Sequence, residues 1–99
     1  MIQYEVRSYG EPLLSDRLAL ILSPDEMNSA LDTVIVAPLT KSSHGYPTRP
    51  WFRMKGEDWW IALDQVGAVR KSRISRKLAM LGEAEVRQVK SILLEMLVR

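Results

Sequence analysis

The sequence predicts a mainly β chain, five or six short strands curled into a barrel-like sheet and followed by a C-terminal helix. Three observations carry this expectation. Short apolar runs recur between turn-forming residues, a Lys-Gly turn joins two aromatic-rich segments, and the stretch from Glu83 onward repeats its apolar residues at helical spacing.

The elements follow in order. Residues 1–9 alternate Ile2, Tyr4 and Val6 with Gln3, Glu5 and Arg7, the period of a strand with one buried face. Gly10, Glu11 and Pro12 end it, and a loop runs to Asp16. Residues 17–23, RLALILS, form a nearly continuous apolar run closed by Pro24, as expected of a central strand. Ser23 is placed to cap a short helical turn, with Pro24 at its first position and Asp25 and Glu26 near its positive end. Four β-branched residues, Thr33, Val34, Ile35 and Val36, open the next strand, residues 33–39. Residues 49–54 and 59–63 flank KGED, a hairpin turn in which Gly56 supplies positive φ. Residues 66–70 resume the apolar pattern, and residues 74–81 read as a short helix stopped by Gly82. The last helix carries acids in its first turn and places Val86, Val89, Leu93, Met96 and Leu97 on one face. Ile92, Leu94 and Val98 lie off that stripe, so the helix is apolar on two faces and predicts a partner subunit.

With 99 residues, 46% apolar and 26% charged, the chain is expected to form one domain over residues 1–99 with a modest core. A core of that size makes burial against a second copy, a homodimer, a natural source of stability. The absence of cysteine excludes disulfides, thiol nucleophiles and thiolate metal sites, and it fits a reducing cytoplasm. Neither a secretory h-region nor an apolar run of membrane-spanning length occurs, so a cytoplasmic protein without membrane association is expected. Charge is unevenly distributed: residues 1–50 carry a net −2 and residues 51–99 a net +4. Its focus is RKSRISRK, in which Arg70, Lys71, Arg73, Arg76 and Lys77 stand without an acid. Such a run is either a solvated surface or a seat for a polyanion or an acidic peptide.

The catalytic inventory is short. His44 is the only histidine, so a histidine-pair nuclease mechanism within one chain is excluded, and no HExxH, Walker loop or GxGxxG occurs. With one histidine, no cysteine and no acidic cluster at ligand spacing, neither a metal nor another cofactor is expected. His44 itself reads as an exposed loop residue. Arg17 begins one predicted central strand and Thr40 follows the end of the strand 33–39. A guanidinium fork beside a hydroxyl suits a phosphate, although Arg17 could equally be a strand-edge cation paired with Asp16 or Asp32. Of the adjacent Trp59 and Trp60, one faces the core and the other faces solvent, a partner or an unpaired base. Asp64 and Gln65 carry donors and acceptors suited to base edges.

Taken in order, LALILSPDEMNSALDTVIVAPLT, YPTR and WIALDQVGAVRKSRISRKLAML resemble the MazF/PemK family of toxin ribonucleases from bacterial toxin–antitoxin pairs. The resemblance runs from Arg17 to the C-terminus. It implies an SH3-like barrel that dimerises through the C-terminal helix and neighbouring strands. It also implies metal-independent cleavage of single-stranded RNA, in which the 2′-hydroxyl attacks its own phosphorus and leaves a 2′,3′-cyclic phosphate and a 5′-hydroxyl. The family's catalytic arginine falls on Arg17 and its catalytic threonine on Thr40. The loop from Lys41 through Ser42, Ser43 and His44 to Tyr46 would lie over the RNA, with Ser42, Ser43, Tyr46 and Gln65 facing bases and Asp64 at the family's acidic position. A cognate antitoxin with an acidic, disordered tail would cover Arg70, Lys71, Arg73, Arg76 and Lys77 together with the Arg17/Thr40 groove. Three features depart from the family: the first strand reads QYEVRSYG, the following loop reads EPLLSD, and Leu18 stands where a proline is usual. Glu11 is one residue out of step with the family's loop glutamate and receives no role. The opening strand is also similar to that of the CcdB gyrase poison, but the chain ends MLVR rather than Trp-Gly-Ile. A non-catalytic binding barrel and a gyrase inhibitor are therefore the alternatives to a ribonuclease.

Overall fold

A computed structural model of the chain describes residues 1–10 and 17–98. Among these residues are seven strands, β1 Glu5–Tyr9, β2 Arg17–Ile21, β3 Thr33–Thr40, β4 Trp51–Met54, β5 Glu57–Ile61, β6 Gly67–Arg70 and β7 Ile74–Met80. Two helices, α1 Asp25–Ala30 and α2 Glu83–Leu97, and two 3₁₀ turns, Leu63–Gln65 and Lys71–Arg73, complete the described elements. The expected loop from Glu11 to Asp16, with the possible Arg17–Asp16 pair, lies outside the described residues.

The strands form one curled antiparallel sheet in the order β4-β5-β3-β2-β1-β7, with β6 also pairing β3. The architecture is the expected one, a barrel-like sheet with a C-terminal helix, with more strands than the sequence predicted. β3 makes the curl possible. Its first half, Thr33 to Val36, pairs with β6, and Leu39 and Thr40 pair with β5. Pro38 falls between these two partners, where its missing N–H breaks no ladder on that edge, and its carbonyl accepts the Ala62 N–H at 2.8 Å. The change of partner at Pro38 delivers Thr40 to the place where the sheet splits.

β2 is buried on both faces, which explains its unbroken apolar run. Leu18 and Leu20 enter the main core with Leu39, Phe52, Ile61 and Leu63, closed by Val89 of α2. Ala19 and Ile21 enter a smaller core on the other side with Val34 and Val36, flanked by Tyr9, Val69 and Ile74. The β4–β5 hairpin closes through Lys55 (φ 51°) and Gly56 (φ 77°), two consecutive left-handed residues as in a type I′ turn. Within α2, Glu85 reaches back to accept the Gly82 N–H at 2.7 Å, and Glu83 and Glu85 place negative charge on its first turn. Ile92 packs on the core, whereas Leu97, expected on the inner stripe, is 69% exposed beside Leu94 and Val98.

Three local expectations are corrected. Residues 1–4 do not extend the first strand: residues 3 and 4 form a turn with Tyr4 at φ 70°, Ile2 is exposed, and β1 begins at Glu5, whose side chain is buried rather than open to solvent. Residues 74–81 are not a helix: β7 pairs with β1 from Tyr9↔Ile74 to Glu5↔Met80, because an antiparallel partner satisfies its backbone over a longer span than two helical turns could. Ser23 does not cap α1. Its buried hydroxyl donates to Asn28 Oδ1 and accepts the Ile35 N–H at 3.0 Å, fastening α1 to β3, while Pro24 occupies the N-cap position with extended backbone.

Glu5, 2% exposed, fastens the end of β7 to the N-terminal strand. Its carboxylate accepts the Ile2 N–H at 2.8 Å and lies 3.2 Å from Arg7 Nε and 3.5 Å from Lys77 Nζ. Burial pushes this carboxyl up, but the Ile2 N–H and the Arg7 and Lys77 charges outweigh it and hold the group below its ordinary value of 4.5. The unfolded chain therefore binds the proton more readily. The resulting stabilisation is complete above pH 4.5 and is lost as pH falls through the lowered value. Glu5→Gln is expected to flatten the acid limb of a urea-midpoint-against-pH curve; an acid limb identical to that of the unaltered protein would show the cluster to be idle.

Candidate active site

Tyr9 of β1 stands opposite Arg17 of β2, so the end of one strand and the start of the next share an edge. Thr40 arrives at the same edge from β3. Together with Lys41, Trp59 and Gln65, these residues line an open pocket of about 380 Å³ floored by Leu18, Pro38 and Leu39. Arg17 and Thr40, 23 positions apart in sequence, thus face one cavity. Arg17 is exposed and Thr40 half-buried, which leaves the guanidinium reachable by an anion while the hydroxyl is held by the sheet. Such a pairing can bind a phosphate and stabilise negative charge on its oxygens.

Trp59 packs its ring on the main core, and Lys41 Nζ sits 3.9 Å from that ring's centre, a cation–π contact at the pocket wall. Lys41 Nζ also lies 3.5 Å from Glu57. Trp60, on the opposite face of β5, stands across from Thr40 and from Trp51 in the ladders. Of the two tryptophans, the one expected to face the core is Trp59.

The loop after Lys41 does not line the pocket. It is shaped by short-range bonds: Ser42 Oγ accepts the His44 N–H and Ser43 Oγ the Gly45 N–H, each at 3.2 Å. His44 (φ 50°) and Gly45 (φ 71°) reverse the chain, and the exposed His44 and Tyr46 rings stand 5.7 Å apart. Each serine hydroxyl keeps its own hydrogen for another partner.

Arg49 is the residue that sequence reasoning missed. It is 8% exposed, and its guanidinium makes a two-point bond to Asp64, Nε to Oδ1 at 3.0 Å and Nη2 to Oδ2 at 3.1 Å. Nη1 donates to the Ser42 carbonyl at 3.2 Å, and the group lies 4.9 Å from the centre of the Tyr46 ring. Asp64 also accepts from Thr48 Oγ1 at 3.1 Å, so both its oxygens are engaged within the protein. The Arg49 guanidinium bonded to Asp64 holds the carboxyl below its ordinary value, against a burial effect that would raise it. That bond also raises Arg49. An arginine next to a proline carries no periodic signal. Its acidic partner, fifteen positions on, was assigned to RNA instead.

The middle of the basic run passes beside the pocket, because Ile74 pairs with Tyr9 and the Arg73 carbonyl accepts the Gly10 N–H at 3.0 Å, whereas its start, Arg70, pairs with Thr33. Not all of it is equally available. Lys71 Nζ donates to the Asn28 carbonyl at 2.6 Å, and Lys77 lies against Glu5. Arg76 is exposed on β7, and Arg70 and Arg73 border a shallow cavity of about 240 Å³ with Ala68 and Val69. Among the described residues, no group of three potential ligands could hold a metal ion, and no helix is long and apolar enough to cross a membrane.

A curled antiparallel sheet with a C-terminal helix, and Arg17 and Thr40 on one pocket at its edge, define the class of fold to which the chain belongs. The chain is similar to the MazE–MazF complex structure of Deinococcus radiodurans, with a TM-score of 0.86 at 21% identity over 99% of this chain and 95% of that one. An endoribonuclease in complex with its cognate antitoxin from a mycobacterial species gives a TM-score of 0.82 at 17% identity, over 98% and 94% of the two chains. Mycobacterium tuberculosis toxin MazF-mt6 gives 0.81 at 16% identity, over 92% and 93%. No curated protein matches the chain in sequence. The chain belongs to the PemK-like, MazF-like toxin family of type II toxin–antitoxin systems, whose model it matches over residues 6–97.

Proposed function

We propose that this toxin is a sequence-selective, metal-independent endoribonuclease that cuts single-stranded RNA to 2′,3′-cyclic phosphate and 5′-hydroxyl ends. The observation that carries the reading is the shared pocket of Arg17 and Thr40. In this scheme the 2′-hydroxyl oxygen forms a bond to the adjacent phosphorus as the bond to the 5′-oxygen breaks; the 2′-hydroxyl gives up its proton to water and the departing 5′-oxygen takes one from water. Arg17 stabilises the charge building on the phosphorane oxygens, and Thr40 holds the reacting groups at the same phosphate. Lys41 and Gln65 line the same pocket, and Ser42, Ser43, His44 and Tyr46 form the adjoining loop, where unpaired bases would be met. Asp64 serves the reading through Arg49 rather than by reaching a base itself.

Two partners accompany it. The exposed Leu94, Leu97 and Val98 of α2 support a second copy of the chain, since apolar side chains grouped at one helix end gain from burial. The exposed cations along residues 70–77 support an antitoxin with an acidic, disordered tail, which would compete with RNA at the adjoining pocket.

The test is a long RNA incubated with purified protein in EDTA, with the new 5′ ends mapped. Discrete cuts bearing 5′-hydroxyls, abolished by the cognate antitoxin, are expected. Intact RNA would leave a binding barrel without catalysis, and RNA left intact while gyrase is poisoned would assign the protein to the other toxin mechanism.

A further inference from the structure

We infer that Arg49, with Asp64, is a positioning residue for Thr40, acting through the Ser42 carbonyl. This rests on the ribonuclease reading for its effect on rate but not for its geometry. The Thr40 hydroxyl donates its one hydrogen to the Ser42 carbonyl at 2.7 Å. That carbonyl also accepts Arg49 Nη1 at 3.2 Å, so both of its lone pairs are used and the oxygen is fixed in place. Arg49 is fixed in turn by the two-point bond to Asp64 on the 3₁₀ turn Leu63–Gln65 and by the Tyr46 ring. Thr48 steadies Asp64 from the other side. The chain of bonds thus runs from a turn anchored in the core to the Thr40 hydroxyl at the pocket.

The consequence is chemical. With its hydrogen committed to Ser42, Thr40 offers only lone pairs to the pocket, so it accepts a hydrogen bond there and donates none. Toward an RNA ligand that orientation selects the 2′-hydroxyl, a donor, over a phosphate oxygen, an acceptor. Thr40 therefore aligns the nucleophile while Arg17 faces the phosphate charge. Only a planar fork can grip Asp64 at two points and reach Ser42 with its third nitrogen; a lysine in the same place keeps the charge and loses the geometry.

Arg49→Lys separates this role from a general attraction for RNA. Three-bond couplings to Thr40 Cγ2, measured by NMR without RNA, are expected to report one χ1 rotamer in the unaltered protein and averaged rotamers in the variant. In cleavage, kcat is expected to fall about ten- to a hundred-fold with KM nearly unchanged, as for a misplaced catalytic group. Should Arg49→Lys fail to fold, Asp64→Asn, which keeps the carboxylate's shape and removes its charge, gives the same comparison. Unchanged Thr40 couplings in a folded variant overturn the inference whether or not RNA is cut, and so does a loss confined to KM. Absence of cleavage by the unaltered protein would instead sink the ribonuclease reading and leave the coupling measurement to judge the clamp.

Discussion

Arg17→Ala is expected to slow RNA cleavage by about a hundred-fold or more, the loss seen when one preorganised donor to a developing oxyanion is removed. The expectation follows from where the side chain lies. Arg17 is exposed at the start of β2, with Leu18 and Leu20 beside it anchored in the main core, so the alanine variant deletes a charge without opening a cavity. Folding should therefore be kept, and a loss of rate reads directly as lost transition-state stabilisation. Arg17→Lys should recover only part of it, since an ammonium offers a point charge where the guanidinium offers a fork. Thr40→Val, which keeps the β-branched shape that β3 prefers, should cost a comparable factor. Because both groups act in one transition state, the double variant should lose less than the product of the two single losses. Single-turnover cleavage of one mapped site under EDTA provides the measurement. Cutting at the unaltered rate by Arg17→Ala would remove the pocket from the chemistry.

Elements written in local pattern were the ones the sequence disclosed. The KGED turn and the stripe through Val86, Val89 and Leu93 each depend on residues within a few positions of one another, and each appears in the structure as expected, whereas the alternation from Ile2 to Val6 gives way to a turn at residues 3 and 4 before β1 begins. β7 was hidden because its pairing with β1 shifts register twice, between Val6 and Arg7 and between Arg7 and Tyr9. Such bulges scramble the two-residue period, and the remaining ISRKLAM reads as helix by propensity alone. The Arg17/Thr40 convergence depends on the register of β2 against β3, from Ile21↔Val36 to Ala19↔Pro38, which brings the start of one strand to the end of the other. The Arg49–Asp64 bond spans fifteen positions, and without a contact map an acid beside Gln65 looks like a reader of bases. The sequence thus pointed to Arg17 and Thr40, the pair proposed to act on RNA, and the support behind that pair emerged only from the fold.

That support gives the largest expected effect on stability. Leu63→Ala should destabilise the protein by about 2 to 5 kcal/mol, the range for truncating a buried leucine whose surroundings cannot collapse. Leu63 has no exposed surface and packs in the main core, and its N–H donates to the Thr48 carbonyl at 3.2 Å, which restrains the backbone around it. Small domains have only about 5 to 15 kcal/mol in total, so the loss should appear as a large drop in the urea midpoint at unchanged slope. Leu63→Met, which conserves volume, should cost less than about 1.5 kcal/mol. The position also tests how stability and site are joined. Leu63 begins the turn that carries Asp64 and Gln65, so a cavity beneath it loosens the anchor of Arg49 and, through Ser42, of Thr40. Under conditions where Leu63→Ala remains folded, its cleavage rate should fall while Leu63→Met cuts normally. Equal rates for the two folded variants would show that the turn holds its shape without the leucine.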